Sequence, residues 1–354
     1  MEPEAGAQAR LRDVLARGFG LDGAAGADIG RIESGRVNET YVVSLGGGPR
    51  YVLQKLNSLF GPAEALTENW NRVGLALAGS GVGFPGIFPA SGGGWLFRDP
   101  GGLGAAWRLT AFLPGRVPRR DSQEEASLAA ATLGRCHAAL NRPRPIGLMP
   151  ALGGGDFTNQ KRCLPSDFEA IASSYRGHPN LDAIAPDVGR GRTAAAWLPG
   201  RPAFARVFAA RDLVVHLDCK SDNFLIGQGL ESLIDWDTVG YGDPLLDIGE
   251  MCRSWAVSAT RPFYDASMAA AIVGGYRQAG LGLSPSEYRL LPAVVRALAL
   301  NLARRYLTDA LAETYFRWDA DAYPSLHEQN ASRGRHMLDL AEELLDRDME
   351  LSGI

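Results

Sequence analysis

Residues 214–237 read VVHLDCKSDNFLIGQGLESLIDWD. Two short apolar runs, LVVHL and ESLIDW, look like strands and enclose the polar loop His216-x-Asp218-x-Lys220-x-x-Asn223. After that loop come a short apolar strand, a turn at Gly227 to Gly229, and Asp235 closing the next strand. A polar loop between buried strands commonly carries such a pair as His216 and Asp218, so the pair alone decides little. The complete set, five residue types at mutually consistent spacings, is far more demanding.

Phosphoryl transfer to a hydroxyl asks a protein for an acceptor of the hydroxyl proton, ligands for the metal that bridges the phosphates, and positive charge on the migrating group. Asp218 can accept the proton. Asn223, five residues on across a tight loop, offers a neutral oxygen to Mg2+, and Asp235, brought back by the hairpin, offers the anionic oxygen that Mg2+ prefers. Lys220 lies on the same side as Asp218 if that piece is extended, and can neutralise the transferred phosphate. His216 braces the loop.

Upstream, RVNETYVVSL and RYVLQKL read as two strands joined by Gly46-Gly47-Gly48-Pro49. A helix follows, AEALTENWNRVGLAL, with Leu66, Asn69, Val73 and Leu77 at helical spacing, and then short strands around WLFRD and AWRLTAFL. From Pro114 the chain is mostly helical: EEASLAAATLGRCHAAL puts Ala129, Leu133, Cys136 and Leu140 on one stripe, and LLPAVVRALALNLARRYL does so with Leu291, Val294, Leu298 and Leu302. The order predicts an α+β, bilobal protein-kinase-like fold. A small β-rich N-terminal lobe with one main helix (1–113) would hold nucleotide, and a larger helical C-terminal lobe (114–354) would hold acceptor and catalytic groups.

ATP should therefore meet the smaller lobe. Glu68 on the helix is a candidate anionic partner for a phosphate-contacting cation on the second strand. A V-A-I-K pattern would put lysine there, but the chain has Tyr51-Val52-Leu53-Gln54-Lys55. Strict register puts Gln54 at the site and Lys55 on the opposite face, so either the register shifts or Gln54 acts by hydrogen bonding. No G-x-G-x-x-G precedes it; Gly35 to Thr40 stands in that place, with Asn38 able to cover phosphates.

Bulk properties exclude other classes. The chain of 354 residues carries net charge -4 from 36 basic and 40 acidic residues, without a basic run that would mark a nucleic-acid partner. Residues 1–113 hold 10 acidic and 10 basic residues, so the whole excess falls on the larger part. The N-terminus MEPEAGAQARLRDVL lacks a secretory core and the apolar stretches are interrupted by arginine, which predicts a cytoplasmic protein with no membrane segment. Four cysteines without ligand spacing are expected to be reduced thiols.

RVNETYVV, YVLQKLN, ALTENWNRV, WRLTAFL, DFTNQKR, HLDCKSDNFL, IDWDTVGYGDPLLDIGEMCR and RYLTDALAETYF occur in order along nearly the whole chain. In these the sequence resembles the aminoglycoside phosphotransferase-like superfamily, and within it the N-acetylhexosamine 1-kinases. The LQ-K/R-LN and IDxDTV runs are the more specific, and Gln54 is itself a feature of that resemblance. It implies Asp218 as base, Asn223 and Asp235 as metal ligands, and Thr110, Ala111 and Leu113 within an adenine-binding hinge. Asp237 would assist the metal or orient Asp235. The implied reaction is transfer of the ATP γ-phosphate to the anomeric hydroxyl of N-acetylglucosamine or N-acetylgalactosamine. Acceptor candidates are Asp156, Asn159, Arg162, Arg253, Arg305 and Asp309, with Trp95, Trp107 and Trp255 weighed between sugar stacking and core. The DPLLD run reads as a helix cap. A kinase of the same fold for an aminoglycoside, choline or homoserine remains the first alternative. A nucleotide-binding pseudokinase is the second, and the oligomeric state stays open.

Overall fold

The computed structural model describes residues 5–32, 38–58, 61–102, 104–150, 157–209, 212–227, 229–257 and 264–352. It begins with α1 (Ala5–Asp13), β1 (Asp28–Ile32), β2 (Glu39–Ser44), β3 (Arg50–Lys55), α2 (Ala63–Leu77), β4 (Phe97–Asp99) and β5 (Ala105–Ala111). These strands form one antiparallel sheet in the order β1-β2-β3-β5-β4. The turn between β2 and β3 uses Gly46 and Gly47 at positive φ. The expected hairpin is thus present, and β1 adds an edge strand before it.

Strand alternation divides the sheet's residues. Tyr41, Val43, Leu53, Trp107 and Leu109 pack with Leu11, Val14 and Leu15 from the N-terminal helical segment as a core of their own. Thr40, Val52, Gln54 and Thr110 face a cleft on the other side. Lys55 therefore lies on the face away from that cleft.

The remaining elements are α3 (Gln123–Asn141), α4 (Phe157–Lys161), α5 (Pro165–Ser174), α6 (Leu181–Ala196), α7 (Pro202–Val207), β6 (Val214–Val215), β7 (Phe224–Leu225), β8 (Ser232–Leu233), β9 (Gly240–Tyr241), α8 (Pro244–Trp255), α9 (Ala266–Ala279), α10 (Pro285–Tyr288), α11 (Leu291–Ala312) and α12 (Leu326–Ser352). Helix α3 buries its whole expected stripe, Ala129, Leu133, Cys136 and Leu140. Each such leucine contributes about 1.5–3 kcal/mol relative to exposure. Its start is capped by Ser122, whose hydroxyl accepts from the Glu125 N–H at 3.2 Å. Leu291, Val294 and Leu298 of α11 are buried as expected, whereas Leu302 is half-buried and lines the cleft.

The core does not divide where the secondary structure does. The α2 stripe of Leu66, Trp70, Val73 and Leu77 packs into the large helical core and not into the sheet's own cluster. Gly83 bonds the Glu231 carbonyl at 2.8 Å, and a Cβ there would meet the Ser232 side chain, so the chain after α2 lies directly on β8. Gly115, at φ 148°, lets the connection after β5 pass over β7, where Arg116 and Ile226 exchange two backbone hydrogen bonds of 3.0 and 2.8 Å. All four cysteines are buried free thiols. Among the described residues, no helix is long and apolar enough to cross a membrane.

Candidate active site

The loop between β6 and β7 is held from behind. Asp247 of α8 accepts the N–H of His216 at 2.6 Å and of Leu217 at 2.7 Å, while its Oδ2 lies 2.9 Å from His137 Nε2. His137 in turn meets the Tyr276 hydroxyl at 2.8 Å. Burial alone would raise the Asp247 pKa, but His137 and the two N–H groups hold it below the usual carboxylate range. These bonds sustain Leu217 at φ 66°, a conformation that costs a branched residue about 1–3 kcal/mol. His216 is fully buried, and burial lowers its pKa, keeping it neutral. With Nε2 donating to the Ile234 carbonyl at 3.0 Å, Nδ1 accepts from the Asp218 N–H at 3.2 Å. His216 is thus the expected brace, tying the loop to β8.

Asp247→Asn is expected to lower stability by about 1–3 kcal/mol, because an amide N–H2 would replace one oxygen that accepts backbone donors. It should also lower kcat at least tenfold with little change in the KM for ATP. Denaturant midpoints and steady-state kinetics check the two effects together.

On this scaffold the sequence candidates converge. Lys220 Nζ lies 2.6 Å from Asp218 Oδ2, and Asn223 Nδ2 donates to the same oxygen at 2.9 Å and to the Asp218 carbonyl at 2.8 Å. Among the described residues the oxygen of the Asn223 amide accepts no hydrogen bond and is available to a cation. Burial would raise the Asp218 pKa, but Lys220 and Lys161 hold it lower than usual, so the carboxylate is ionised and able to accept a proton. The Ile234 N–H bonds the Asn223 carbonyl at 2.9 Å, which fixes Asp235 beside that loop. Asp235 itself sits at φ 66°, ψ 60°. Burial, then the neighbouring carboxylates Asp237 and Asp218, push its pKa up to about 7. Among the described residues no cation pairs with Asp235. Lys220 and Arg108 offset the rise only in part, and a buried carboxylate close to the Asn223 loop fits Mg2+, which takes one or two protein oxygens and leaves its other positions to phosphates and water. Asn223 and Asp235 are the residues that would hold it.

Around the nucleotide end the expectations need correction. Lys55 is not the cation at the site: it pairs with Glu39 at 2.6 Å on the far face, and both side chains are about two-fifths exposed. Glu68 does not meet a phosphate-contacting cation either, since its carboxylate bonds Arg72 one turn on, at 2.7 Å. Gln54 does face the cleft, and its Oε1 accepts from Arg108 at 3.2 and 2.7 Å.

Arg108 on β5, directly across from Gln54 in the sheet, is the cation that sequence reading missed. Its guanidinium bonds Asp237 at 2.6 and 3.2 Å and lies 3.9 Å from the centre of the Trp70 ring. Both partners of this ion pair are fully inaccessible to solvent. Asp237 is accordingly committed to Arg108 and to Asn38 Nδ2 at 2.7 Å, so it is not free to ligate a metal; it acts on Asp235 through its charge. Asn38 spends its other end on the Asn57 N–H at 2.9 Å and joins β3 to the Asp237 turn. The segment from Gly35 to Val37 lies outside the described residues. At the hinge, Thr110, Ala111 and Leu113 all line the cleft, but the Ala111 and Phe112 N–H groups bond Gly86 and Arg50 carbonyls at 2.8 and 3.2 Å.

The cleft between the sheet and the helical lobe measures about 1620 Å³. Of the acceptor candidates, Arg253 lines it, paired with Glu250 at 2.6 Å in a largely buried couple. Burial would raise the Glu250 pKa, yet Arg253 and Lys161 keep it far below normal. Arg305 also lines the cleft, 4.8 Å from the Tyr315 ring centre. Arg162 is exposed and turned onto Phe204, and its neighbours Gln160 and Lys161 line the cleft instead. Asp309 is buried and structural, accepting the N–H groups of Thr314, Tyr315 and Phe316 at 2.8 Å each. Asp156 lies outside the described residues, as does the side chain of Asn159 on α4. Trp107 and Trp255 are core residues, while Trp318, absent from the sequence candidates, stands in the cleft wall. Asp243 caps α8 through the Leu245 N–H at 2.9 Å, as the DPLLD reading expected.

The chain is similar to known phosphotransferases in sequence and fold. Residues 28–281 match the model of the APH phosphotransferase enzyme family. No curated protein matches the sequence. Among solved structures, the chain is similar to a microcompartment-associated aminopropanol kinase (17% identity, TM-score 0.65, covering 96% of this chain and 98% of that one). It is similar also to an aminoglycoside phosphotransferase from Alicyclobacillus acidocaldarius subsp. acidocaldarius (15%, TM-score 0.60, covering 90% and 92%). A third similar structure is an amicoumacin kinase solved with AMP-PNP and Ca2+ (14%, TM-score 0.62, covering 96% of each chain). The chain belongs to the APH phosphotransferase enzyme family, and it shares its fold with small-molecule kinases.

Proposed function

We propose that the protein transfers the γ-phosphate of ATP to a sugar hydroxyl, the anomeric hydroxyl of an N-acetylhexosamine, giving the sugar 1-phosphate. The observation that carries this reading is the gathering of Asp218, Lys220, Asn223 and Asp235 at one cleft, with Asp235 buried beside the carboxylates Asp237 and Asp218. Bound Mg2+ would supply charge neutralisation on the phosphates. Asp218, ionised and held by Lys220 and Asn223, accepts the proton of the attacking hydroxyl. Lys220 is close enough to exchange its Asp218 contact for the migrating phosphoryl group. The adenine is assigned to the hinge, where Leu113 is the residue whose backbone follows the N–H groups already used by the sheet.

Two features favour a sugar over a polycation. Tyr315, Phe316 and Trp318 line the cleft and offer apolar faces of the kind that stack on sugar rings. Arg304, Arg305, Arg317 and Arg333 line it too, against Asp319 and Asp321, and would repel an aminoglycoside or choline. The similar structures that act on amine-bearing compounds, such as the aminopropanol kinase, supply the second reading, a same-fold kinase for another acceptor.

The test is ADP release from Mg2+-ATP across a panel of N-acetylglucosamine, N-acetylgalactosamine, kanamycin, choline, homoserine and aminopropanol. Turnover dependent on the N-acetylhexosamines, with phosphate at the anomeric position by 31P NMR, is expected. Turnover with an amine alone would replace the sugar by that acceptor, and nucleotide binding without turnover on any acceptor would leave the pseudokinase. Excess EDTA is expected to abolish turnover and added Mg2+ to restore it.

A further inference from the structure

The acceptor end of the cleft has more positive charge than a neutral sugar needs. Arg304 and Arg305 on α11 and Arg333 on α12 all line it, and all three are half-buried. Among the described residues none of the three has a carboxylate partner. The same cleft is also lined by Arg317, Lys161 and His336, by Asp319 and Asp321, and by Arg253 and Glu250, which pair with each other. Among the described residues, Arg304 Nε is buried without a hydrogen-bond partner. A buried N–H left unmade costs about 1–3 kcal/mol, and Arg135 Nε and Trp107 Nε1 are buried in the same way elsewhere.

The aromatic side chains hold part of this array in place. The Arg305 guanidinium carbon lies 4.8 and 5.9 Å from the Tyr315 and Phe316 ring centres, and Arg333 lies 5.7 Å from that of Tyr323. Asp309 fixes that wall through the three N–H groups of residues 314–316. A guanidinium stacked on a ring keeps its N–H edge available, and this planar fork is the group that best matches a carboxylate or a phosphate. Arg305 and Arg333, each set beside an aromatic ring, therefore read as pre-set donors.

We propose that the acceptor carries an anionic group, a carboxylate or a phosphate, away from the hydroxyl that is phosphorylated, and that Arg304, Arg305 and Arg333 receive it. This rests on the kinase reading of the same cleft and narrows its substrate to an acidic sugar derivative.

The experiment uses full-length Asp218→Asn protein with Mg2+ and ADP, so that binding is measured without turnover. Calorimetry compares N-acetylglucosamine, its 6-phosphate, its 6-carboxylate and glucosamine. At least one anionic sugar is expected to bind tenfold or more tightly than N-acetylglucosamine, with glucosamine weakest, and the 6-phosphate and 6-carboxylate distinguish the two anions. The ratio of anionic to neutral affinity is expected to collapse toward one in Arg305→Gln/Arg333→Gln. It should be partly kept in Arg305→Lys/Arg333→Lys, with thermal melting reporting that each variant is folded. Equal affinity for anionic and neutral sugars, or a ratio unchanged by the glutamine pair, overturns the proposal. Wild-type turnover separates it from the parent reading. Turnover of neutral sugars with no anionic preference leaves the kinase standing without the subsite. Arginine-dependent anion binding with no turnover of any sugar keeps the subsite and removes the sugar-kinase assignment.

Discussion

Asp218→Asn is expected to lower kcat by about 10³-fold, within the ~10²–10⁴-fold span of a lost general base, while ADP binding changes by no more than a few fold. The asparagine oxygen can still accept from Lys220 Nζ and Asn223 Nδ2, which lie 2.6 and 2.9 Å from the present carboxylate oxygen. The shape of the loop is kept because Asp247 and His216 hold it through backbone groups and not through this side chain. What is lost is the capacity to take a proton. Steady-state kinetics and ADP titration separate these consequences, and a kcat within tenfold of wild type would remove Asp218 from the base role.

Arg108→Met is expected to cost about 3–5 kcal/mol of stability, the size found when one member of a buried ion pair is removed and its partner stays charged. The guanidinium satisfies both Asp237 oxygens and Gln54, and it lies over Trp70 with no solvent exposure. Among the described residues, the other side chain bonded to Asp237 is the neutral amide of Asn38. The double variant Arg108→Met/Asp237→Leu should recover most of the loss, since two apolar groups of similar volume leave no buried charge. Urea midpoints at unchanged slope measure both. A single-variant loss below about 1 kcal/mol would show that Asp237 is not held as described.

How far the sequence could be read follows from the range of the interactions involved. The loop with Asp218, Lys220 and Asn223 and the hairpin that returns Asp235 are local, within 18 residues, and turn signals and strand alternation suffice to bring them together. The α3 stripe was legible for the same reason. Arg108 was not, because its partner Asp237 is 129 residues away and its place beside Gln54 depends on β5 pairing with β3. The V-A-I-K pattern points to β3, where alternation leaves Gln54 in the cleft and turns Lys55 to the other face. Glu68 was read toward the sheet, but Arg72 at the next turn of the same helix claims it. Asp309 is an acceptor candidate only by the family resemblance, and no local signal shows that it receives three N–H groups of the chain that follows. Arg304, Arg333 and Trp318 carry no local motif, and only the packing of α12 on α11 reveals that they share a cleft.

The most direct test of the account is a structure of the protein with AMP-PNP and Mg2+. A cation ligated by the Asn223 side-chain oxygen and an Asp235 carboxylate oxygen at about 2.0–2.1 Å, with the γ-phosphate facing Asp218 and Lys220, is the predicted result. A nucleotide bound outside this cleft, or a cation whose protein ligands include neither Asn223 nor Asp235, would contradict it.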